Sequence, residues 1–394
     1  MNVRPISLPG AQPADLAGRA SSGARRPRVL VLAQLPPPEH GAAAVNRQVV
    51  ESQKLAESFE LDVVPISMID DIGQIRQFEW SKIARSLKLW RDVAFRMVGR
   101  KRPDLVYLTL SQNGWAFYRD LVLVLLFRMA RVRHVFHMHG RGVAAAIAEA
   151  SWKRALYQFA FERAFVITLG GSLQRDIEGV VRRNRVFVVP NGVRDEAAGP
   201  TADRAPGPPT ILFLSNMLEE KGPLVLLEAL AMLARRGVPF QARFAGAWRG
   251  PLSPERFASR VAALGLEDRV SHLGSVHGVE KARLFAGSDV FVLPSYYAHE
   301  ALPLVVIEAM MHGLPVVATN IGALPEIVLH RRTGELVEPR DVGALAAALE
   351  RLLHDGNRRA AYGMAARAKY EADLTDTRFE KRLVRVLSKA MERA

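Results

Sequence analysis

Two glutamates eight residues apart, Glu300 and Glu308, lie in the run His299-Glu-Ala-Leu-Pro-Leu-Val-Val-Ile-Glu308-Ala-Met-Met. Proline is at home in the first turn of a helix, so Pro303 places Glu300 at a helix mouth. Glu308 then falls more than a turn inside, among Leu304, Val305, Val306, Ile307, Ala309, Met310 and Met311. A carboxylate in so apolar a helix is costly to bury unless strong donors reach it. The adjacent hydroxyls of a ribose suit one carboxylate. The backbone N–H groups around Ala301 and Leu302 form the helix's positive end, where a diphosphate can sit, and Glu300 can accept hydrogen bonds from a sugar. One short segment thus offers a receptor for each part of a nucleotide-sugar. The same residues also allow a plainer arrangement, with Glu308 bonded to a neighbouring loop and Glu300 a solvated acid.

Lys221 is the next candidate. The stretch Leu212-Phe-Leu-Ser-Asn216-Met-Leu-Glu-Glu-Lys221-Gly222-Pro223 runs from a strand into a helix. It sets a positive charge and free N–H groups where a diphosphate leaving group needs them in a metal-free site. In the first half, His137-Met-His139-Gly-Arg141-Gly ends a strand, and alternation turns both imidazoles to one side. A metal pair or a structural histidine is compatible with that pattern. Gln34-Leu-Pro-Pro-Pro-Glu-His40-Gly41 follows the first strand. It reads as a glycine loop bringing N–H groups to a cleft, or as a Pro-rich turn capping a helix. No G-x-x-x-x-G-K-[ST] loop and no G-x-G-x-x-G follows the first strand, which argues against ATPase and dinucleotide readings.

The elements that must position these residues alternate strand and helix twice over. Strands are expected at 28–33, 61–66, 104–110, 134–139, 165–169 and 185–189, then at 210–214, 240–245, 269–273, 289–293 and 315–318. Helices are expected at 79–99, 115–130, 224–236, 254–264, 279–286, 303–312 and 342–353. Such alternation makes an α/β fold with parallel sheets covered on both faces. With 394 residues, two domains are the natural division. A Pro/Gly-rich stretch divides them. The expected boundaries are a disordered tail at 1–27, an N-terminal domain at 28–194, a linker at 195–209, a C-terminal domain at 210–373 and a final segment at 374–394. Two doubly wound sheets joined in this way face a cleft at their carboxyl ends, where ligands of such sheets bind.

The chain is 49% apolar and has no cysteine, which excludes disulfides and thiolate metal sites and fits a reducing cytosol. The longest apolar run, Leu121 to Phe127, is too short to span a bilayer. Of the net charge of +14, residues 1–199 carry 29 Lys/Arg against 18 Asp/Glu, or +11. A basic half suits an anionic partner (a membrane surface, a polyanionic substrate or nucleic acid) or is an Arg-rich composition that serves solubility, and no nucleic-acid recognition pattern accompanies it. The segment 81–102 is basic and amphipathic. Ile83, Leu87, Trp90, Ala94 and Val98 lie at helical spacing, and Lys82, Arg85, Lys88 and Arg91 populate other faces. Such a helix can lie on anionic lipid or be an ordinary solvated surface helix.

The second half resembles the nucleotide-sugar-binding domain of retaining glycosyltransferases of the GT-B fold, family 4 (group 1). The resemblance rests on Val189-Pro-Asn-Gly-Val193, Leu214–Gly222, Phe244-Ala-Gly246, Asp289–Ser295, Glu300–Glu308, His312–Ala318, Gly322-Ala-Leu-Pro-Glu326 and Thr333–Val337, in the family's order. It implies a GT-B fold of two Rossmann-like domains whose last segment returns to the first. It implies that Glu308 binds ribose, Glu300 contacts the donor sugar, Lys221 binds the diphosphate and His139 stands beside the anomeric carbon. Ala301 and Leu302 would supply amides, and Gly41 the cleft loop. The family's arginine five residues before the lysine is here Asn216, so one diphosphate charge partner is either missing or supplied by Arg249, Arg243 or Arg141. Ala301-Leu302 replaces the common glycine and phenylalanine, which points to a different donor sugar.

The expected function is therefore transfer of a sugar, with retention, from a UDP- or GDP-linked donor to a saccharide or lipid-linked acceptor. No cofactor and no metal are expected. The basic half suggests an enzyme of the cytoplasm, at the inner face of the membrane, in surface-polysaccharide synthesis. A GT-B sugar-nucleotide epimerase and a non-catalytic scaffold binding a polyanion are the alternatives.

Overall fold

Short apolar runs in which every residue is buried form parallel strands, because helices cover both faces of each sheet. The computed structural model describes residues 25–37, 40–66, 78–196 and 207–392, with the backbone alone for 78–82. Most of the tail, the middle of the linker (197–206), Pro38 and Glu39 of the Pro-rich turn, and the Lys82 side chain lie outside the described residues. The first sheet holds β1 (Arg28–Ala33), β2 (Glu60–Pro65), β3 (Leu105–Leu108), β4 (Arg133–Met138), β5 (Phe165–Thr168) and β6 (Val186–Val188), in the order β2-β1-β3-β4-β5-β6. The second holds β7 (Thr210–Leu214), β8 (Gln241–Ala245), β9 (Val270–His272), β10 (Val290–Leu293), β11 (Val316–Thr319) and β12 (Gly334–Val337), in the order β12-β11-β10-β7-β8-β9. Every pairing is parallel.

The two-residue period of a strand sorts the first domain's core into two layers. Leu30, Leu32, Val106, Leu108 and Phe136 face one layer. Val29, Val31, Tyr107 and Val135 face the other, where Phe379, Leu383, Val386, Leu387 and Ala390 complete the core. Those five belong to the last helix, Asp376–Glu392, at helical spacing. Each large side chain buried there contributes about 1.5–3 kcal/mol, so this helix is part of the N-terminal core although it follows the second domain in the chain.

The crossing between domains explains Val189-Pro-Asn-Gly-Val193. Val193 and Thr375 form a parallel bridge, with Val193 N–H donating to Leu374 O at 3.0 Å and Asp376 N–H to Val193 O at 2.9 Å. A Cβ on Gly192 would stand 2.3 Å from Thr375 O, so only glycine lets the outgoing and returning chains pass this closely.

Elements outside the expected list include strand β12 and the helices Gln53–Ser58, Val143–Glu149, Lys153–Phe161 and Gly356–Asp373. The helix expected at 303–312 runs from Leu304 to Met311, with Pro303 extended (ψ 128°) as its N-cap. Among the described residues no helix is long and apolar enough to cross a membrane.

Candidate functional site

Lys221 and Glu300 meet at the carboxyl edge of the second sheet. β7 runs out through Asn216 into the turn Glu219–Lys221, and Gly222, at φ +83°, caps the helix Pro223–Arg235. A Cβ on Gly222 would stand 2.2 Å from Pro294 O, just past the end of β10. Glycine is therefore needed twice over, for its left-handed conformation and for the close approach. That approach brings Lys221 onto the segment leading from β10 to Glu300. Lys221 Nζ lies 2.7 Å from Glu300 Oε2 and 4.8 Å from the centre of the Tyr297 ring. Ser295 Oγ donates to the same carboxylate oxygen at 2.7 Å, and Thr319 Oγ1, at the end of β11, donates to Ser295 O at 2.5 Å. Glu300 is buried, so it is an internal, paired carboxylate rather than a solvated acid.

Glu308 has a partner that sequence reasoning missed. Lys281 Nζ lies 2.6 Å from its Oε1, while Oε2 is buried with no hydrogen-bond partner among the described residues. Lys281 opens the helix Gly278–Ala286, which follows β9. Its start lies at the carboxyl edge, and that topological position was the available signal. The Glu308 carboxylate thus has one oxygen neutralised and one acceptor position open. Ala301 and Leu302 are buried, and their amides have no acceptor among the described residues.

Asn216 is exposed beside this edge. Of the three stand-ins for its missing arginine, Arg243 lies within β8, next to Gly287. Arg249 N–H donates to Met217 O at 3.4 Å, which keeps Arg249 adjacent to Asn216. Arg141 Nε donates to Ala298 O at 2.6 Å from the first domain.

The first domain closes over the same edge. His299 Nδ1 lies 2.7 Å from Arg141 O, and Asn191 Nδ2 donates to Leu302 O at 3.0 Å. Glu326, in the Gly322–Glu326 motif, accepts from Gly171 N at 2.9 Å, Ser172 N at 2.8 Å and Ser172 Oγ at 2.6 Å. Burial alone would raise the Glu326 pKa, but these bonds outweigh it and hold the carboxyl below its ordinary range. The loops following β4 and β6 therefore touch the segment that carries Glu300 and Ala301, and the loop following β5 touches the one that carries Gly322 and Glu326.

His139 stands one residue past β4. Part of its surface is exposed, yet both ring nitrogens are buried and have no hydrogen-bond partner among the described residues. Burial pushes its pKa down to about 3, with His40 a lesser cause. His137 packs behind it, with ring centres 4.1 Å apart, and its Nδ1 lies 2.6 Å from Tyr107 Oη. Gly41 is the first residue of the helix Gly41–Glu51, and His40 Nδ1 caps that helix by accepting from Ala43 N at 3.2 Å. A Cβ on Gly41 meets nothing within 4 Å, so packing within the chain does not require glycine there.

Two facing parallel sheets with a site at their carboxyl edges define the GT-B class of two Rossmann-like domains. The chain superposes on Anabaena Alr3699/HepE, solved in complex with UDP and glucose, with a TM-score of 0.70 and 20% identity over 91% of this chain and 99% of that one. Residues 197–369 match the family of glycosyl transferases group 1, and this domain belongs to it. A D-inositol 3-phosphate glycosyltransferase of Arthrobacter is 37% identical over 158 residues, 40% of this chain and 37% of that protein. The amylovoran biosynthesis glycosyltransferase AmsK of Erwinia amylovora is 32% identical over 186 residues, 46% of this chain and 45% of that protein. The matched stretches thus span less than half the length of these relatives.

Proposed function

We propose that the protein is a retaining glycosyltransferase of the GT-B fold, family 4, that moves a sugar from a UDP- or GDP-linked donor to a saccharide or lipid-linked acceptor. The observation that carries this reading is the convergence of Lys221 on buried Glu300 at a strand-end cleft, beside a Glu308 oxygen that has no partner. Glu308 Oε2 accepts from the ribose hydroxyls. The amides at Ala301 and Leu302, together with Lys221, take the diphosphate. Glu300 turns its remaining acceptor capacity to the sugar. The bond from the anomeric carbon to the diphosphate oxygen breaks while the acceptor oxygen bonds to that carbon on the same face, and the acceptor proton passes to the departing diphosphate. Lys221 stabilises the charge that develops as the diphosphate leaves, without cofactor or metal. His139, neutral because it is buried, directs a ring N–H at the sugar. HepE binding UDP and glucose, and AmsK acting in amylovoran synthesis, support a nucleotide-sugar donor and a polysaccharide pathway.

Incubation with nucleotide-sugars, with and without acceptor saccharides, tests the reading. Transfer supports it, isomerisation of the donor alone identifies an epimerase, and no turnover leaves a binding scaffold. Glu308→Gln keeps the shape and removes the charge. It should weaken binding of the nucleotide diphosphate by about 10- to 100-fold, the worth of a charge-assisted hydrogen bond of roughly 1.5–3 kcal/mol. Unchanged affinity in calorimetry removes the ribose assignment.

We further propose that the enzyme works at the inner face of the membrane on a lipid-linked acceptor. The helix Phe78–Arg96 and the neighbouring helix Gly114–Met129 leave Leu87, Phe95 and Met129 more than half exposed, beside the basic residues Lys88 and Arg91. Apolar anchors with cations beside them suit an anionic lipid surface, where each cation adds about 1 kcal/mol. The protein should co-sediment with phosphatidylglycerol vesicles in preference to phosphatidylcholine. A variant with Lys82, Arg85, Lys88 and Arg91 changed to glutamine should not. Equal partitioning of the parent to both kinds of vesicle sinks the membrane reading and leaves glycosyl transfer standing.

A further inference from the structure

At the amino-terminal edge of the first sheet, on the side away from the strand ends that carry the cleft, lies an open cavity of about 670 Å³. Arg25, Arg26, Arg102, Arg131 and Arg133 line it, with Asp104 the one acid among its described lining residues. The arginines come from the segments that lead into or open β1, β3 and β4, so three separate stretches of sequence converge here. Five guanidinium groups around one cavity repel each other unless an anion lies between them. Asp104 does little to relieve this. It accepts from the Arg28 amide at 2.7 Å and stands 4.0 Å from Arg25.

Some of the guanidinium groups are held in place by backbone. Arg26 donates to Ala56 O at 2.5 Å, Arg102 to Arg131 O at 3.1 Å and Arg133 to Met391 O. Each keeps further N–H groups for a ligand, since guanidinium carries five. The Arg131 side chain has no hydrogen bond or ion pair among the described residues. Its backbone is left-handed, at φ +53°, just past the end of the helix Gly114–Met129. Glycine fills that position without strain. An arginine there gains nothing for the fold and places a charge on the cavity.

We propose that this cavity is a second anion site, separate from the cleft, which takes a phosphate-bearing group. The group belongs either to a soluble phosphorylated compound or to the headgroup of a phospholipid. Guanidinium forks match the paired oxygens of phosphate, and the volume falls within the roughly 300–1,000 Å³ of small-ligand sites.

Inorganic pyrophosphate is the probe. Titration calorimetry of the parent should show a binding component that Arg25→Gln with Arg131→Gly weakens about tenfold or more, because charge-assisted hydrogen bonds are lost. The glycine suits the left-handed backbone and glutamine keeps the stem, so the thermal midpoint should not fall. The same component should survive Lys221→Ala with Glu300→Gln, which changes the cleft alone. Identical isotherms for the parent and the arginine variant overturn the proposal, as does a component that disappears with the cleft variant. Phosphatidylglycerol vesicles that displace the pyrophosphate, where phosphatidylcholine vesicles do not, assign the site to a lipid headgroup. Pyrophosphate retained in their presence assigns it to a soluble ligand.

Discussion

Replacing Lys221 with alanine is expected to lower glycosyl transfer by about 10²–10³-fold, the usual cost of losing one donor to a developing negative charge. Stability should fall with it. Lys221 is the cationic partner of Glu300, at 2.7 Å, and the two side chains are only 15% and 7% exposed. Removing one partner of such a pair strands the other and typically costs about 3–5 kcal/mol. Ser295 Oγ remains as a donor to Glu300, so the lower end of that range applies. The two losses can be separated. Adding Glu300→Gln to Lys221→Ala removes the stranded charge while keeping the shape, and should restore most of the urea midpoint. It should restore none of the transfer, because the diphosphate still lacks its cation. Transfer by Lys221→Ala within about twofold of the parent would place the leaving-group cation elsewhere, since a true transition-state donor costs far more. Arg249 and Arg141 are then the residues to change next.

A second large effect concerns acid. His134, His137 and His139 come from one strand and its end, and burial lowers the pKa of each: His134 to about 4, His139 to about 3, and His137 well below its ordinary value. All three are neutral in the native protein at neutral pH. The unfolded chain binds protons at these positions below the ordinary value of 6.5, and the native chain does not. Their contribution to stability is therefore complete above pH 6.5, declines as the pH falls through that value, and goes on declining until the native imidazoles titrate. Each histidine lowers stability by about 1.4 kcal/mol per pH unit in that window, so three together cost about 4 kcal/mol per unit near pH 5. Urea unfolding from pH 7.5 down to 4.5 should show this slope. His139→Asn should reduce it by about one proton's worth. A midpoint constant between pH 7 and 5 would mean that these rings take up protons in the native state.

Most of both sheets was legible in the sequence, because a strand buried on both faces is written as an unbroken apolar run. Leu212–Leu214 and Val290–Leu293 show this plainly. β12 was not legible. Gly334-Glu-Leu-Val337 carries a glutamate near its start, and the buried Glu335 is paired with Arg351, which reaches it at 3.1 Å from the next helix, Val342–His354. The helix Gly356–Asp373 was hidden by its arginines and by Gly363, where a Cβ would stand 2.2 Å from Gly313 O.

At the site, the residue types pointed to Glu300, Glu308, Lys221 and His139, but partners cannot be read from types. Lys281 carries no motif and meets Glu308 only because the helix Gly278–Ala286 packs beside the helix Leu304–Met311. Glu326 lay inside a motif read as a family mark, and its three bonds to the end of β5 depend on how the two domains meet. The burial of the His139 nitrogens, with no hydrogen-bond partner among the described residues, is likewise a property of the assembled cleft.

The last helix carries a consequence for how the chain assembles. Phe379, Leu383, Val386, Leu387 and Ala390 close one layer over Val29, Val31 and Tyr107, across some 350 residues of sequence, so the closure entropy of a long loop must be met before those contacts form. During synthesis, which proceeds from the amino terminus, the first sheet emerges long before its cover. Part of one apolar face then stays open to solvent, or to a chaperone, while the second domain is made and folds, since only Val45, Val49, Leu55 and Phe59 of the earlier helical segment already lie on it. The first domain is completed only after the second has been made, and the vulnerable species on the ribosome is a chain that carries both sheets with part of one face still uncovered.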